Sequence, residues 1–232
     1  MAKEVLVTAK KLKNRKKFYK QAKWILLFIL IFLIIVYIIL EVTYNGGHFT
    51  ISLDKNTTLK QNLVLYEDIK YKEPQVKLSA GKIDFLDNIS IDWIPKDIDS
   101  EKDGPHNGDN YIAYTYYIEN IGEDVVNYWT ELYIDDVIKN VDEALRVMVF
   151  ENGEKTVYAK INSITNLPEN GTTPFYSKDK VFVRERDLIK PNEIDKYTIV
   201  IWLEGDDPDC LDDILGGEIK MHVKIRDEHF VD

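Results

Sequence analysis

The chain has 232 residues, enough for one ordinary domain plus attachments, and carries 30 Lys/Arg against 40 Asp/Glu for a formal net charge of −10. Its single cysteine, Cys210, excludes a disulfide within the chain. The absence of His-Glu-x-x-His, of Gly-x-Ser-x-Gly and of a phosphate-binding glycine loop argues against zinc hydrolysis and triad chemistry.

The charge is unevenly divided. Residues 1–23 hold nine Lys/Arg and one acid, Glu4, for a net +8, which leaves −18 on the remainder. Between them runs Trp24 to Leu40, seventeen residues without a charge. As a helix this segment covers about 26 Å, near the lower limit for a hydrocarbon core of about 30 Å. Lys23 can snorkel at one end, and Val42 to Tyr44 extend the apolar stretch past Glu41 at the other. Trp24 and Tyr44 fall where interfacial aromatics are favoured. The expected organisation is a basic cytoplasmic tail (1–23), a transmembrane helix (24–44) and an acidic extracytoplasmic domain (45–232). A cleavable signal peptide is the competing reading, disfavoured because EVTYNGGHFT offers no Ala-x-Ala-like site. The lysines at 10, 11, 13, 16, 17 and 20 read as a topology signal and as contacts to anionic lipid, not as a nucleic-acid site.

Beyond residue 48 the dominant period is two. Phe49 to Leu53, Asn62 to Tyr66, Ile89 to Trp93, Ile112 to Ile118, Val125 to Tyr133, Leu145 to Phe150, Thr156 to Ala159, Tyr197 to Leu203 and Ile219 to Ile225 are predicted strands. Asn152-Gly153 between two of them suits a type I′ hairpin turn. Trp93, Tyr114, Tyr116, Ile199, Ile201 and Met221 are expected in the core. Asp135 to Ala144 is predicted as two or three helical turns, and Asp209 to Leu215 as one turn stopped by Gly216-Gly217. Pro95–Asn110 and Asn162–Lys180 read as loops. Many short strands with Asn/Gly/Asp/Pro punctuation imply a mainly β fold, an antiparallel β-sandwich of immunoglobulin-like or jelly-roll-like type.

Two acidic clusters are the candidate sites. In Asp97, Asp99, Glu101 and Asp103 acids recur at every second residue, a spacing calcium loops use to converge oxygen ligands. The EF-hand template fails, because Lys102 stands where Gly is required and Gly108 where a bidentate Glu is required. The second cluster is Asp206, Asp207, Asp209, Asp212 and Asp213, readable as a calcium site or as turn and cap residues, with capping preferred. Cys210 reads as a small buried hydrophobe, since no histidine is near it in sequence. No catalytic residue is assigned.

The run Ile199 to Cys210 (IVIWLEGDDPDC), followed by Gly216 to Lys220 (GGEIK), resembles membrane-tethered surface proteins of Gram-positive bacteria with a basic N-terminus, one span and a β-rich outer domain. That resemblance covers residues 24–226, with its distinctive motif at 199–220. The same run is similar, more weakly, to the last strands of the camelysin and TasA-type secreted β-sandwich proteins, some of which build biofilm fibres. Those proteins are normally exported with a cleaved signal peptide, whereas this chain keeps its predicted anchor. The resemblance implies a cell-surface protein and carries over no catalytic residue.

The expected function is structural, adhesive or assembly-related, at the cell surface. The bilayer is its first partner; other surface proteins or a second copy could join by strand addition at an exposed edge. The alternative is a cell-envelope enzyme with its site in the acidic loops.

Overall fold

A computed structural model describes residues 9–44, 49–54, 62–80 and 87–228. The expectations for residues 1–8 of the basic tail and for residues 45–48 lie outside them. The chain divides into two compact units, residues 1–46 and 47–232.

The first unit is one helix, α1 (Ala9–Tyr44). Its segment Lys17–Ile39 is long and apolar enough to cross a membrane. The helix begins well before the predicted span, which follows from the Ala, Lys, Gln and Arg content of residues 9–23, all good helix formers. Over its 36 residues it extends about 54 Å. Large apolar side chains from Trp24 to Ile39 are exposed around its circumference, so within this unit no other element covers them.

The second unit is mainly β, built as two sheets. Its strands are β1 (Phe49–Leu53), β2 (Leu63–Tyr66), β3 (Lys77–Ser79), β4 (Asn88–Ile89), β5 (Gly104–Pro105), β6 (Tyr111–Asn120) and β7 (Val126–Ile138). They continue as β8 (Leu145–Glu151), β9 (Glu154–Ala159), β10 (Thr173–Pro174), β11 (Lys180–Ile189), β12 (Ile194–Glu204) and β13 (Glu218–Glu228). The first sheet has the order β11-β7-β13-β1-β3, and the second β10-β9-β8-β12-β6-β2, with β4 on β12 and β5 on β6. The long strands pair antiparallel. Strict antiparallel pairing does not hold throughout: β1 runs parallel to β13, β4 to β12 and β10 to β9.

Both sheets contribute to one apolar cluster. Phe49, Leu132, Val223 and Ile225 come from the first sheet, and Tyr114, Tyr116, Val147, Ile199 and Ile201 from the second. The second sheet is also covered on its other face. Ala113, Met148, Val200 and Trp202 pack there against Ile89, Ile94 and Ile98. That double burial explains why β6 and β12 read as near-continuous apolar runs. It also makes residues 90–106 a covering layer more than a free loop: a 3₁₀ turn (Ile91–Trp93), a one-turn helix α2 (Ile98–Glu101) and β5.

The predicted hairpin is present, with β8 and β9 in register across Glu151–Glu154 and left-handed φ values of 51° at Asn152 and 89° at Gly153. Two expectations are overturned. Asp135 to Ala144 is not helical: β7 stays paired with β13 as far as Ile138 opposite Glu218, with an irregularity where Asp135 falls between partners. Lys139 and Asn140 then take φ of 60° and 53°, which no right-handed helix accepts. Nor does a strand run from Ile89 to Trp93. It ends at Ile89, the chain turns, and Trp93 is 72% exposed, not in the core. The other five predicted core residues are buried.

Candidate functional site

The acidic segment that follows β12 is held by contacts from four parts of the chain. Glu204 ends the strand, and one oxygen of its carboxylate accepts the Trp202 indole N–H at 3.0 Å and the Ile91 N–H at 3.2 Å. Its other oxygen accepts the Asp206 N–H at 3.4 Å. Asp207 is buried and ion-paired with the Arg146 guanidinium, which rises from β8 opposite Trp202. The second oxygen of Asp207 accepts the Asp209 N–H at 2.7 Å, closing a tight turn. Asp209 in turn accepts the backbone N–H of Ser163 at 2.9 Å and its hydroxyl at 2.7 Å, which ties the 160–172 segment to this end of the domain.

Glu169 completes the group. Its carboxylate accepts the side-chain amide of Asn162 at 2.8 Å. Oxygen atoms of Glu169, Asp207 and Asp209 lie within 4.8 Å of one another, the convergent acidic set found among the described residues. Of the five acids predicted in this cluster, the fold therefore gathers Asp207 and Asp209 and adds Glu169. Asp206, Asp212 and Asp213 are exposed, the last two in the 3₁₀ turn Asp212–Ile214. What the arrangement can do chemically is set by its donors. Asp207 and Asp209 already accept from backbone N–H groups, a hydroxyl and a guanidinium, so Asp207 works as a turn closure and Asp209 as a tie between segments. Cys210 is partly buried against the core and accepts a weak bond from the Asn88 amide at 3.3 Å.

The other predicted cluster diverges. Asp103 accepts the Tyr117 hydroxyl at 2.6 Å and the Ile69 N–H at 3.3 Å, while Asp99 lies 3.4 Å from the Lys196 ammonium. Asp97 precedes α2 without a side-chain capping bond, and Glu101 is exposed. Among the described residues these four do not form one donor set.

Two polar networks went unread in the sequence. The first lies between the sheets. The Tyr128 hydroxyl, from β7, donates to Asp195 at 2.7 Å and meets the Tyr197 hydroxyl at 2.9 Å. Tyr197 reaches Glu151 at 2.9 Å, and Arg186 on β11 donates its Nε–H to Asp195 at 3.0 Å. Asn152 in the hairpin turn donates to the second oxygen of Asp195 at 2.8 Å. Burial first, then Tyr197 and Asp195 beside Tyr128 and Glu151 beside Tyr197, pushes these two phenols well up from their ordinary value of 10.0. Tyr128 and Tyr197 fall in predicted strands but were not among the expected core residues. A signal did exist, since buried Tyr hydroxyls need partners, but the register that supplies Asp195 and Arg186 was not legible.

The second network covers the outer face of the first sheet. Glu131, only 3% exposed, accepts from Lys180 at 3.1 Å and from the Tyr133 hydroxyl at 2.9 Å, and pairs with Arg226 at 3.1 Å. Burial alone would raise its carboxyl, but the bonds from Lys180 and Tyr133 and the charge of Arg226 outweigh that and hold it below 4.5. The Tyr133 ring stacks on His222 with centroids 4.8 Å apart, and His222 Nδ1 lies 2.8 Å from Asp135.

No family model matches the chain, and no curated protein matches it. Among solved structures it is similar to the GH31 alpha-xylosidase from Xanthomonas citri at 10% identity and a TM-score of 0.28. That match covers 70% of this chain and 15% of the other. It is also similar to a beta-glucosidase from Kluyveromyces marxianus at 11% identity and a TM-score of 0.24, covering 69% and 15% of the two chains. The chain thus spans about 15% of the length of these enzymes, and the likeness is too slight to carry fold or activity across.

Proposed function

We propose that this is a single-pass membrane protein of the cell surface. Its N-terminus is cytoplasmic, and its β domain is an extracellular sandwich, of immunoglobulin-like or jelly-roll-like type, acting in structure, adhesion or assembly. The carrying observation is the succession along one chain of a +8 segment, one apolar helix and a two-sheet domain of net acidic charge. The resemblance of residues 199–220 to tethered surface proteins of Gram-positive bacteria supports the same reading. A non-catalytic role is supported by the acidic end, where Asp207, Asp209 and Glu204 are engaged in holding turns and an ion pair. A second copy or another surface protein would add a strand at a sheet edge, which among the described residues is β11 or β3 in the first sheet and β10 in the second, the outer side of β2 being bonded to Gln75.

Protease applied to intact, wall-stripped cells tests the reading. The expected result is loss of the β domain and survival of a small membrane-bound stub containing α1. Protection of the whole chain would refute it.

A further inference from the structure

Exposed apolar side chains are not evenly shared between the two ends of the β domain. One end is defined by register: β12 finishes at Glu204, and β13 starts at Glu218 opposite Ile138, the last residue of β7. At this end Trp93, Ile138, Ile164, Leu167, Leu211 and Leu215 are exposed, Ile164 by 76%. Leu211 and Leu215 lie on the connection from β12 to β13. Ile164 and Leu167 follow Ser163, which is bonded to Asp209, and Trp93 follows Ile91, whose N–H is bonded to Glu204. The opposite end, around the Asn152-Gly153 hairpin and residues 121–125 and 188–192, exposes Ile121, Val125 and Leu188. Single exposed hydrophobes are ordinary, but several large ones on neighbouring loop tips mark a contact surface.

Chain connectivity says what that surface meets. β1 is parallel to β13 with Phe49 opposite Met221, three residues beyond Glu218. The chain therefore enters the domain about 10 Å from the apolar end.

We propose that this end is a lipid-contacting foot, with Trp93, Ile164, Leu167, Leu211 and Leu215 partitioned into the interface of the bilayer that α1 crosses. The inference rests on the anchoring proposed above and adds a second membrane contact to it. Loop tips suit such a contact because each can enter the headgroup layer without carrying a sheet edge into it, and Trp favours that layer. Asp206, Asp212 and Asp213 are exposed at the same end and disfavour anionic headgroups. The foot therefore sits deeper on zwitterionic lipid than on anionic lipid at low salt.

The test uses the full chain carrying Cys210→Ser and one spin-labelled cysteine at a time: Ile164→Cys, Leu211→Cys, Leu188→Cys or Phe32→Cys. Each is reconstituted in phosphatidylcholine vesicles, and collision with oxygen, which enters lipid, is compared with collision with a water-soluble nickel chelate. The oxygen-to-nickel ratio is expected to be several-fold higher at 164 and 211 than at 188. Ratios at 164 and 211 equal to that at 188, with a high ratio at 32, overturn the foot while the anchor stands. An aqueous ratio at 32 removes the anchor, and the foot with it. Low collision with both reagents at 211, with broadening that grows with protein per vesicle, means a second copy covers the patch and also overturns the proposal.

Discussion

Replacing Asp207 with Asn removes one charge from a buried pair and little else. The Asp207 side chain is 1% exposed and that of Arg146 6%, so neither charge is hydrated in the folded state. Asn keeps an oxygen able to accept the Asp209 N–H, which leaves the turn closed. What is lost is the counter-charge of Arg146, whose other contact is the Leu145 carbonyl at 3.2 Å. Stranding one member of a buried pair costs about 3–5 kcal/mol. Asp206→Asn, at an exposed position a residue away, should stay within about 0.5 kcal/mol of the parent. Urea unfolding of residues 45–232 measures both. In a double-mutant cycle, Arg146→Met combined with Asp207→Asn should recover most of the loss, because no unpaired charge remains buried. An Asp207→Asn cost below about 1 kcal/mol would refute the reading of this carboxylate as a structural counter-ion.

Three further outcomes are expected. Ile201→Ala, in the shared core, should cost about 2–5 kcal/mol, whereas Trp93→Ala should change stability by less than about 0.5 kcal/mol; equal losses in urea unfolding would contradict the core assignment. Tyr66 is pushed up to about 12 by burial and by Glu119, and burial raises Tyr128 and Tyr197 well above 10.0, so their contribution is whole below pH 10.0 and lost as pH climbs through the folded values. Stability should then fall between pH 10 and 12, by up to about 1.4 kcal/mol per pH unit for each phenol that ionises only on unfolding; a flat profile there would contradict it. Melting of residues 45–232 in calcium, magnesium and sodium chloride at equal ionic strength should give coincident curves, while a calcium-selective rise of about 2.7 kcal/mol at 100 times the dissociation constant would restore a metal role for Glu169, Asp207 and Asp209.

Local pattern carried much of the fold into the sequence. Tyr114, Tyr116, Ile199 and Ile201 were legible as core because a period of two leaves little choice of face, and Asn152-Gly153 because its turn requires left-handed residues. Trp93 was misread for a physical reason: Ile89, Ile91 and Trp93 alternate as a strand would, but the pairing with β12 stops at Ile89 and a 3₁₀ turn takes over. Asp135 to Ala144 has helical composition, yet continued pairing of Val137 and Ile138 with β13 outweighs propensity. At the candidate site Asp207 and Asp209 were visible as neighbours in an acidic run. Arg146 and Glu169 were not, because only the fold brings side chains so far apart in sequence within reach.

In the proposed topology the β domain and the basic segment lie on opposite sides of a membrane. With Cys210→Ser as background, single cysteines at Lys155, exposed in the β8–β9 hairpin, and at Lys17, exposed on α1, can be probed in intact cells with a membrane-impermeant maleimide. Labelling is expected at 155 in intact cells and at 17 only after permeabilisation. Labelling at 17 before permeabilisation, or protection of 155 until it, would contradict that topology.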